Sequence, residues 1–148
     1  MPITQVSVFL DNRPGSLFQA MSAMDKNNIK IFALTIADAG EFGLVRLIAE
    51  DPEKAAKMLS EADFNLAKSK KNIEVTAIFS SKENSLSKIT KILGDSGINI
   101  EYAYSSAVHV AGKVALIIRP SDVAKAEEQL KANGVDVLSF EEIKKYFQ

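Results

Sequence analysis

Hydrophobic and polar positions alternate over a short first stretch of this chain and then change to a helical period. The segment Ile3–Leu10 alternates as a half-buried strand does. The next segment, Ser16–Asn27, has apolar residues spaced i, i+3, i+4 and i+7, so it is predicted to be an amphipathic helix with the stripe Leu17, Ala20, Met21 and Met24. Asn28 is the predicted end of that helix, because Asn tolerates the left-handed conformation.

Two further strands, a second helix and a short last strand complete the pattern. Ile29–Ala37 and Leu44–Glu50 are predicted strands, joined by the turn sequence DAGEFG. Asp51-Pro52 combines an N-cap with a proline at the first helical position. The helix that follows has an apolar stripe formed by Ala55, Met58, Leu59 and Ala62. The sequence FNLAKS is the predicted last strand, which gives the order β-α-β-β-α-β.

The chain then repeats this pattern. Shifted by 69 residues, GSLFQAMSAMDKNNIKI lies over NSLSKITKILGDSGINI, and GLVRLIA lies over GKVALII. The two copies span residues 1–70 and 71–148, which we interpret as two domains. Gly97 stands in the second copy where Asn28 stands in the first, and glycine ends helices in the left-handed conformation more easily still.

The second copy has its own predicted caps and one added element. Ser121 is the predicted N-cap of its second helix, and Val135–Leu138 is its predicted last strand. The sequence SFEEIKKYF predicts a short additional helix at about residues 140–147, since Ser139 and Glu142 have the spacing of a capping box.

These elements predict an α+β fold of two ferredoxin-like units. The order β-α-β-β-α-β is the split βαβ arrangement, in which an antiparallel sheet carries both helices on one face. A unit of about 70 residues buries little surface by itself, so joining two copies stabilises both.

Composition limits the classes of function. The chain has 148 residues, a net charge of −1 and no cysteine, which leaves no strongly basic surface for nucleic acid and no thiolate for catalysis or metal binding. No apolar run approaches a membrane span, and the start of the chain lacks the pattern of a secretory signal. We therefore expect a cytoplasmic protein without a cofactor or a metal.

The segment LDNRPGSL lies between the first strand and the first helix, where it can meet a ligand. A helix N-terminus presents unpaired N–H groups that attract a carboxylate or phosphate. Gly15 lets a ligand approach the backbone, while Asp11 and Asn12 supply oxygens for an ammonium group. This chemistry suits a free α-amino acid, although the same residues also form an ordinary turn and helix start.

The repeated unit and this loop resemble a tandem ACT domain protein. The pattern D-x-x-P-G-x-L across Asp11, Pro14, Gly15 and Leu17 is similar to the ACT ligand loop, and NNIKI is similar to the segment that follows the first helix. The resemblance implies a regulatory module that binds small molecules, with two sheets joined through their second strands into one eight-stranded sheet.

The resemblance also implies where a ligand lies and which residues contact it. The ligand would lie between the first loop of one domain and the second strand of its neighbour, here 99–104 of the second copy or the same region of another chain. The implied binding residues are Leu10, Asp11, Asn12, Arg13, Pro14, Gly15, Ser16, Leu17, Asn28, Asn99, Glu101 and Tyr102. A homodimer and an enzyme partner from metabolism are also implied.

The second copy departs from this pattern. Glu83 and Asn84 stand where Pro14 and Gly15 stand in the first copy. The second loop therefore carries a negative charge at Glu83 and lacks the glycine that lets a ligand approach the backbone. We therefore expect one competent ligand loop per chain, in the first copy.

Other candidate sites have less support. His109 is the only histidine, and Ser105-Ser106 have no His–Asp partner, so neither a metal site nor a hydrolytic triad is indicated. Asp38 and Glu41 are interpreted as turn residues. The third strands, GLVRLIAE and GKVALIIR, lack the aromatic residues of RNA-binding sheets.

Three functions are compatible with these residues. The first is a non-catalytic sensor of an amino acid or similar metabolite. The second is a partner-binding regulator of an enzyme, or a repressor, without a ligand of its own. The third, and least supported, is a small acyl-phosphate hydrolase that would use Arg13.

Overall fold

The computed structural model describes residues 3–61, 65–66 and 73–146, and these residues form two units. The units are Thr4–Ile73, and Glu74–Gln148 together with Met1–Ile3. The predicted boundary between residues 70 and 71 lies outside the described residues. Both units have the predicted β-α-β-β-α-β order, so the α+β, ferredoxin-like fold class is confirmed.

The first unit contains four strands and two helices. They are β1 (Ile3–Asp11), α1 (Ser16–Lys26), β2 (Ile31–Ala39), β3 (Phe42–Ala49), α2 (Pro52–Glu61) and β4 (Asn65–Leu66). All pairings are antiparallel, in the order β4-β1-β3-β2, which puts β1 in the interior and β2 at the edge of this sheet. Of the strand predicted from FNLAKS, only β4 lies within the described residues.

The core of the first unit lies between its helices and one face of its sheet. Alternate residues of β1 and β3 contribute to it, as expected for one face of a pleated sheet. The predicted helix stripes point into the same core: Ala20, Met24, Ala55 and Leu59 are buried, and Leu17, Met21 and Met58 are partly buried. Each fully buried large side chain contributes about 1.5–3 kcal/mol. Ala62, the last residue of the predicted α2 stripe, lies outside the described residues.

The second unit repeats this arrangement and adds a helix. Its elements are β5 (Ile73–Ser80), α3 (Leu86–Asp95), β6 (Ile100–Val110), β7 (Lys113–Pro120), α4 (Val123–Ala132), β8 (Val137–Leu138) and α5 (Phe140–Tyr146). The antiparallel order is β8-β5-β7-β6, the equivalent of the order in the first unit. Helix α5 follows the repeat and begins with the predicted capping box, since Ser139 and Glu142 exchange two hydrogen bonds of 3.1 Å.

The first helix of each unit ends as predicted. Asn28 has φ +55° and Gly97 has φ +71°, so both adopt the left-handed conformation after the last helical turn. The N–H of Ile29 then donates to the carbonyl oxygen of Met24 at 3.0 Å, which keeps Ile29 in the helix-terminal motif. For this reason β2 begins at Ile31, two residues later than predicted.

Helix α4 corrects one prediction of a cap. Asp122, and not Ser121, is its N-cap, because the Asp122 carboxylate accepts a hydrogen bond from the N–H of Lys125 at 3.0 Å. The Ser121 hydroxyl instead accepts from the N–H of Asn99 at 3.0 Å, which holds it against the start of β6. After α4, Gly134 has φ +79° and belongs to the helix-terminal motif, so β8 begins at Val137 and not at residue 135.

Candidate functional site

The segment LDNRPGSL crosses from β1 to α1 in the first unit. Leu10 is buried at the end of β1, whereas Asp11, Asn12, Arg13, Pro14 and Gly15 are all exposed. Ser16 is buried at the start of α1, and Leu17 is partly buried against the core of the unit. The loop therefore has an apolar base and a solvent-facing polar rim.

Gly15 is the N-cap of α1, and its conformation leaves the helix end open. Its φ is +89°, in the left-handed region that favours glycine. Among the described residues, no side chain caps the first turn of α1. A Cβ built on Gly15 would meet no atom within 4 Å, so the backbone here is reachable from solvent. The N–H groups of Leu17 and Phe18 can therefore donate to an anion, aided by the positive end of the helix dipole.

Asn12 fixes the loop to the turn between β2 and β3. Its side-chain amide donates to the carbonyl oxygen of Gly40 at 3.1 Å and approaches Oδ1 of Asp38 at 3.4 Å. Its backbone N–H donates to the carbonyl oxygen of Glu41 at 2.9 Å. Sequence reasoning missed this anchor, because it identified only a turn in DAGEFG. The amide donor of Asn12 is thus engaged within the unit, whereas its Oδ1 accepts no hydrogen bond from the described residues.

Asp11 and Arg13 form an ion pair across the loop. Nη2 of Arg13 lies 3.2 Å from Oδ2 of Asp11. The side chain of Arg13 is 70% exposed and that of Asp11 is 55% exposed. The N–H of Arg13 also donates to the carbonyl oxygen of Asp11 at 2.9 Å. Exposed pairs of this kind contribute little to stability, so a charged ligand can replace either partner at low cost.

Comparison with known proteins identifies the family to which this loop and fold belong. A family model described as an ACT domain pair matches residues 1–147. The chain belongs to the ACT domain-pair family. Among curated proteins, none matches the chain.

Solved structures have the same architecture. The crystal structure of protein BT0572 from Bacteroides thetaiotaomicron is 33% identical, with a TM-score of 0.85 over 97% of this chain and 96% of that one. The ligand-free regulatory subunit of aspartate kinase from Thermus thermophilus is 13% identical, with a TM-score of 0.62 over 99% and 93% of the two chains. The aspartokinase alpha and beta subunits are 18% identical, with a TM-score of 0.55 over 86% and 90%. The last two likenesses show the ACT fold alone.

The equivalent loop of the second ACT unit is closed by its own side chains. The Ser85 hydroxyl accepts from the N–H of Lys88 at 3.2 Å and so caps α3. Asn84 donates to the carbonyl oxygen of Gly134 at 3.1 Å and accepts from Nζ of Lys88 at 2.8 Å. The N–H of Asn84 donates to the Ser81 hydroxyl at 3.0 Å. The first turn of α3 is therefore capped by the Ser85 side chain, whereas no described side chain caps the first turn of α1.

The remaining predicted binding residues lie apart from the first loop or in the other ACT unit. Asn28 follows the C-terminal end of α1, whereas the loop is at its N-terminal end. Asn99 exchanges hydrogen bonds with Ser121 at the start of β6. Glu101 lies 3.7 Å from Nε of Arg119, and Tyr102 stacks on a neighbouring tyrosine with ring centroids 6.5 Å apart.

Metal and membrane sites find no support in the described part of the chain. Over that part, no three His, Asp or Glu side chains cluster as metal ligands. His109 is exposed on β6. Within the same residues, no helix combines the length and the apolar character needed to cross a bilayer.

Proposed function

We propose that this ACT domain pair is a non-catalytic regulatory sensor that binds a free amino acid, or a similar small zwitterion, at the loop 11–17. The single observation that carries the proposal is the uncapped N-terminus of α1 at Gly15. The donors of that helix end suit the ligand carboxylate. Asp11, whose carboxylate is half exposed beside the same helix end, suits the ligand ammonium.

The difference between the two ACT loops supports one such site per chain. In the first unit the helix cap is a glycine without a side chain, and in the second it is Ser85, which already accepts from the helix N–H. A ligand anion would have to displace that hydroxyl in the second loop. Asn99, Glu101 and Tyr102 stay predictions for the second wall of the site, as the ACT resemblance implies.

We propose that ligand binding to this ACT pair regulates a separate enzyme. The solved Thermus thermophilus protein with the same fold is named as a regulatory subunit of aspartate kinase. We extend this role in general form only: ligand binding stabilises one state of the ACT pair, and the partner enzyme has a different affinity for that state.

A thermal-shift screen of the twenty amino acids tests the proposal. A ligand at 100 times its Kd should stabilise the folded protein by roughly 2.7 kcal/mol. Asp11→Asn removes the charge that meets the ammonium, so it should abolish most of the shift. Glu83→Gln is the matched control, because Glu83 is the exposed acid of the second ACT loop.

Gly15→Val provides the second variant. It places a side chain where the ligand would approach and should also abolish the shift, provided that circular dichroism shows a folded protein. A full shift retained in both Asp11→Asn and Gly15→Val would place the ligand elsewhere and overturn the proposal.

A further inference from the structure

A cavity lies within the second ACT unit, lined in part by the helix that follows the repeat. Its volume is ≈ 480 Å³, and it is bordered by β5, β7, β8, α5 and the end of α4. Small-molecule sites have volumes of roughly 300–1,000 Å³. The side chains that give this cavity its chemistry are Phe79, Lys113, Lys131, Asp136, Glu142 and Tyr146. Two of these residues belong to α5, the helix outside the repeat, and the described residues of the first unit contain no equivalent of this wall.

One side of the cavity is aromatic and apolar. The ring of Phe79 is buried, and the ring of Tyr146 meets it edge to face, with centroids 5.5 Å apart and an interplanar angle of 64°. Leu138 is also buried in the lining. Offset and edge-to-face ring packing is favourable for a third apolar or aromatic group placed against such a pair. The cavity therefore suits a ligand with an apolar body.

The rim carries charges of both signs. Nζ of Lys113 lies 3.2 Å from Oδ2 of Asp136 and 5.7 Å from the centre of the Phe79 ring. Lys131 is exposed at the end of α4, and over the described residues it has no ion pair. Glu142 is already engaged, since its Oε1 accepts the N–H of Ser139. A simple anion would meet the carboxylate of Asp136 and a simple cation would meet two lysines, whereas a zwitterion satisfies both signs.

We propose that this cavity binds a free α-amino acid with an aromatic or large apolar side chain. The ligand side chain packs on Phe79 and Tyr146, its carboxylate pairs with Lys131 and its ammonium pairs with Asp136. This site lies in the second ACT unit and is separate from the loop at Gly15, so it does not depend on the function proposed above.

An NMR titration with L-phenylalanine tests the proposal. The amide signals of Lys113, Asp136 and Tyr146 should shift together as the probe is added. Lys131→Ala should weaken the apparent affinity about ten-fold. Lys125→Ala, an exposed lysine of the same helix that does not line the cavity, is the matched control and should leave the affinity unchanged.

Two ligand analogues test whether the cavity requires both charges of a zwitterion. The variant Gly15→Val tests whether the probe binds in this cavity and not at the first-unit loop. Phenylacetate lacks the ammonium and phenethylamine lacks the carboxylate, so each should bind at least about ten-fold more weakly than L-phenylalanine. The shifts should persist in folded Gly15→Val, because the substitution lies in the first-unit loop and not in the lining of this cavity. The proposal is overturned if the cavity amides do not respond at millimolar probe, if Lys131→Ala and Lys125→Ala behave alike, or if either analogue binds as tightly as L-phenylalanine.

Discussion

The side-chain amide of Asn12 donates a hydrogen bond to the carbonyl oxygen of Gly40 at 3.1 Å, which ties the candidate ligand loop to the turn between β2 and β3. The backbone N–H of Asn12 also donates a hydrogen bond to the carbonyl oxygen of Glu41, at 2.9 Å. The loop is therefore held in place by its own unit before any ligand arrives. Such preorganisation reduces the entropy that a ligand has to remove on binding.

Replacement of Asn12 by alanine should affect binding more than folding. The lost side-chain hydrogen bond is exposed, so the free energy of unfolding should fall by no more than about 1 kcal/mol. The affinity for the amino acid found in the screen should fall about ten-fold, because the loop at Gly15 loses its anchor. Urea denaturation and calorimetric titration measure the two effects. A stability loss with unchanged affinity would show that the anchor is structural only.

Gly15→Ala and Gly94→Ala should have opposite effects on stability. Neither new Cβ would meet an atom within 4 Å, so the backbone conformation decides the outcome. Gly15 has φ +89°, where a Cβ costs about 1–2 kcal/mol. Gly94 lies in helix α3, where alanine is favoured by up to about 1 kcal/mol. Thermal unfolding should show a lower Tm for the first variant and a higher Tm for the second. A Tm that rises in Gly15→Ala would contradict the left-handed cap.

Features that depend on neighbouring residues could be predicted from the sequence. The end of α1 at Asn28 and of α3 at Gly97 followed from the conformations these residue types tolerate. The capping box of Ser139 and Glu142 followed from a spacing of three residues. Both signals act within one helical turn, so no knowledge of the rest of the fold was needed.

Features that join distant segments could not be predicted in this way. The partner of the Asn12 side chain lies 28 residues further along the chain, and no local pattern identifies it. Ser121 and Asp122 are both good N-cap residues, so the sequence alone does not distinguish them. In the structure Asp122 caps α4, while the Ser121 hydroxyl accepts a hydrogen bond from Asn99, 22 residues away. The candidate site thus had a predictable loop sequence but an unpredictable anchor.

Ala111→Asn should stabilise the β6–β7 hairpin. Ala111 and Gly112 connect the paired residues Val110 and Lys113, with φ of +50° and +77°. Two positive φ values in a two-residue connection define a type I′ turn, which favours Asn-Gly. Alanine is strained at the first position, so asparagine should raise the free energy of unfolding by about 1 kcal/mol, as urea denaturation can measure. Ala111→Val should lower it, and a gain for valine would rule out the type I′ geometry.

The buried contact between Thr76 and Glu127 should behave as a coupled pair. Oγ1 of Thr76 donates to Oε2 of Glu127 at 2.6 Å, across β5 and α4 of the second unit. The two residues are 0% and 7% exposed. Thr76→Val keeps the β-branched shape and removes the donor, which leaves a buried carboxylate without it. The free energy of unfolding should fall by about 1.5–3 kcal/mol.

A double-mutant cycle separates the hydrogen bond from the packing. In Thr76→Val/Glu127→Met, both polar groups are replaced by apolar ones of similar volume, so the double variant should be more stable than Thr76→Val alone. The coupling free energy from urea denaturation should be about 1 kcal/mol or more. If the losses of unfolding free energy in the two single variants add up to the loss in the double variant, the 2.6 Å hydrogen bond contributes little to stability. The exposed pair Lys91–Asp95, with a distance of 2.8 Å, is the control and should show much weaker coupling, because solvent screens it.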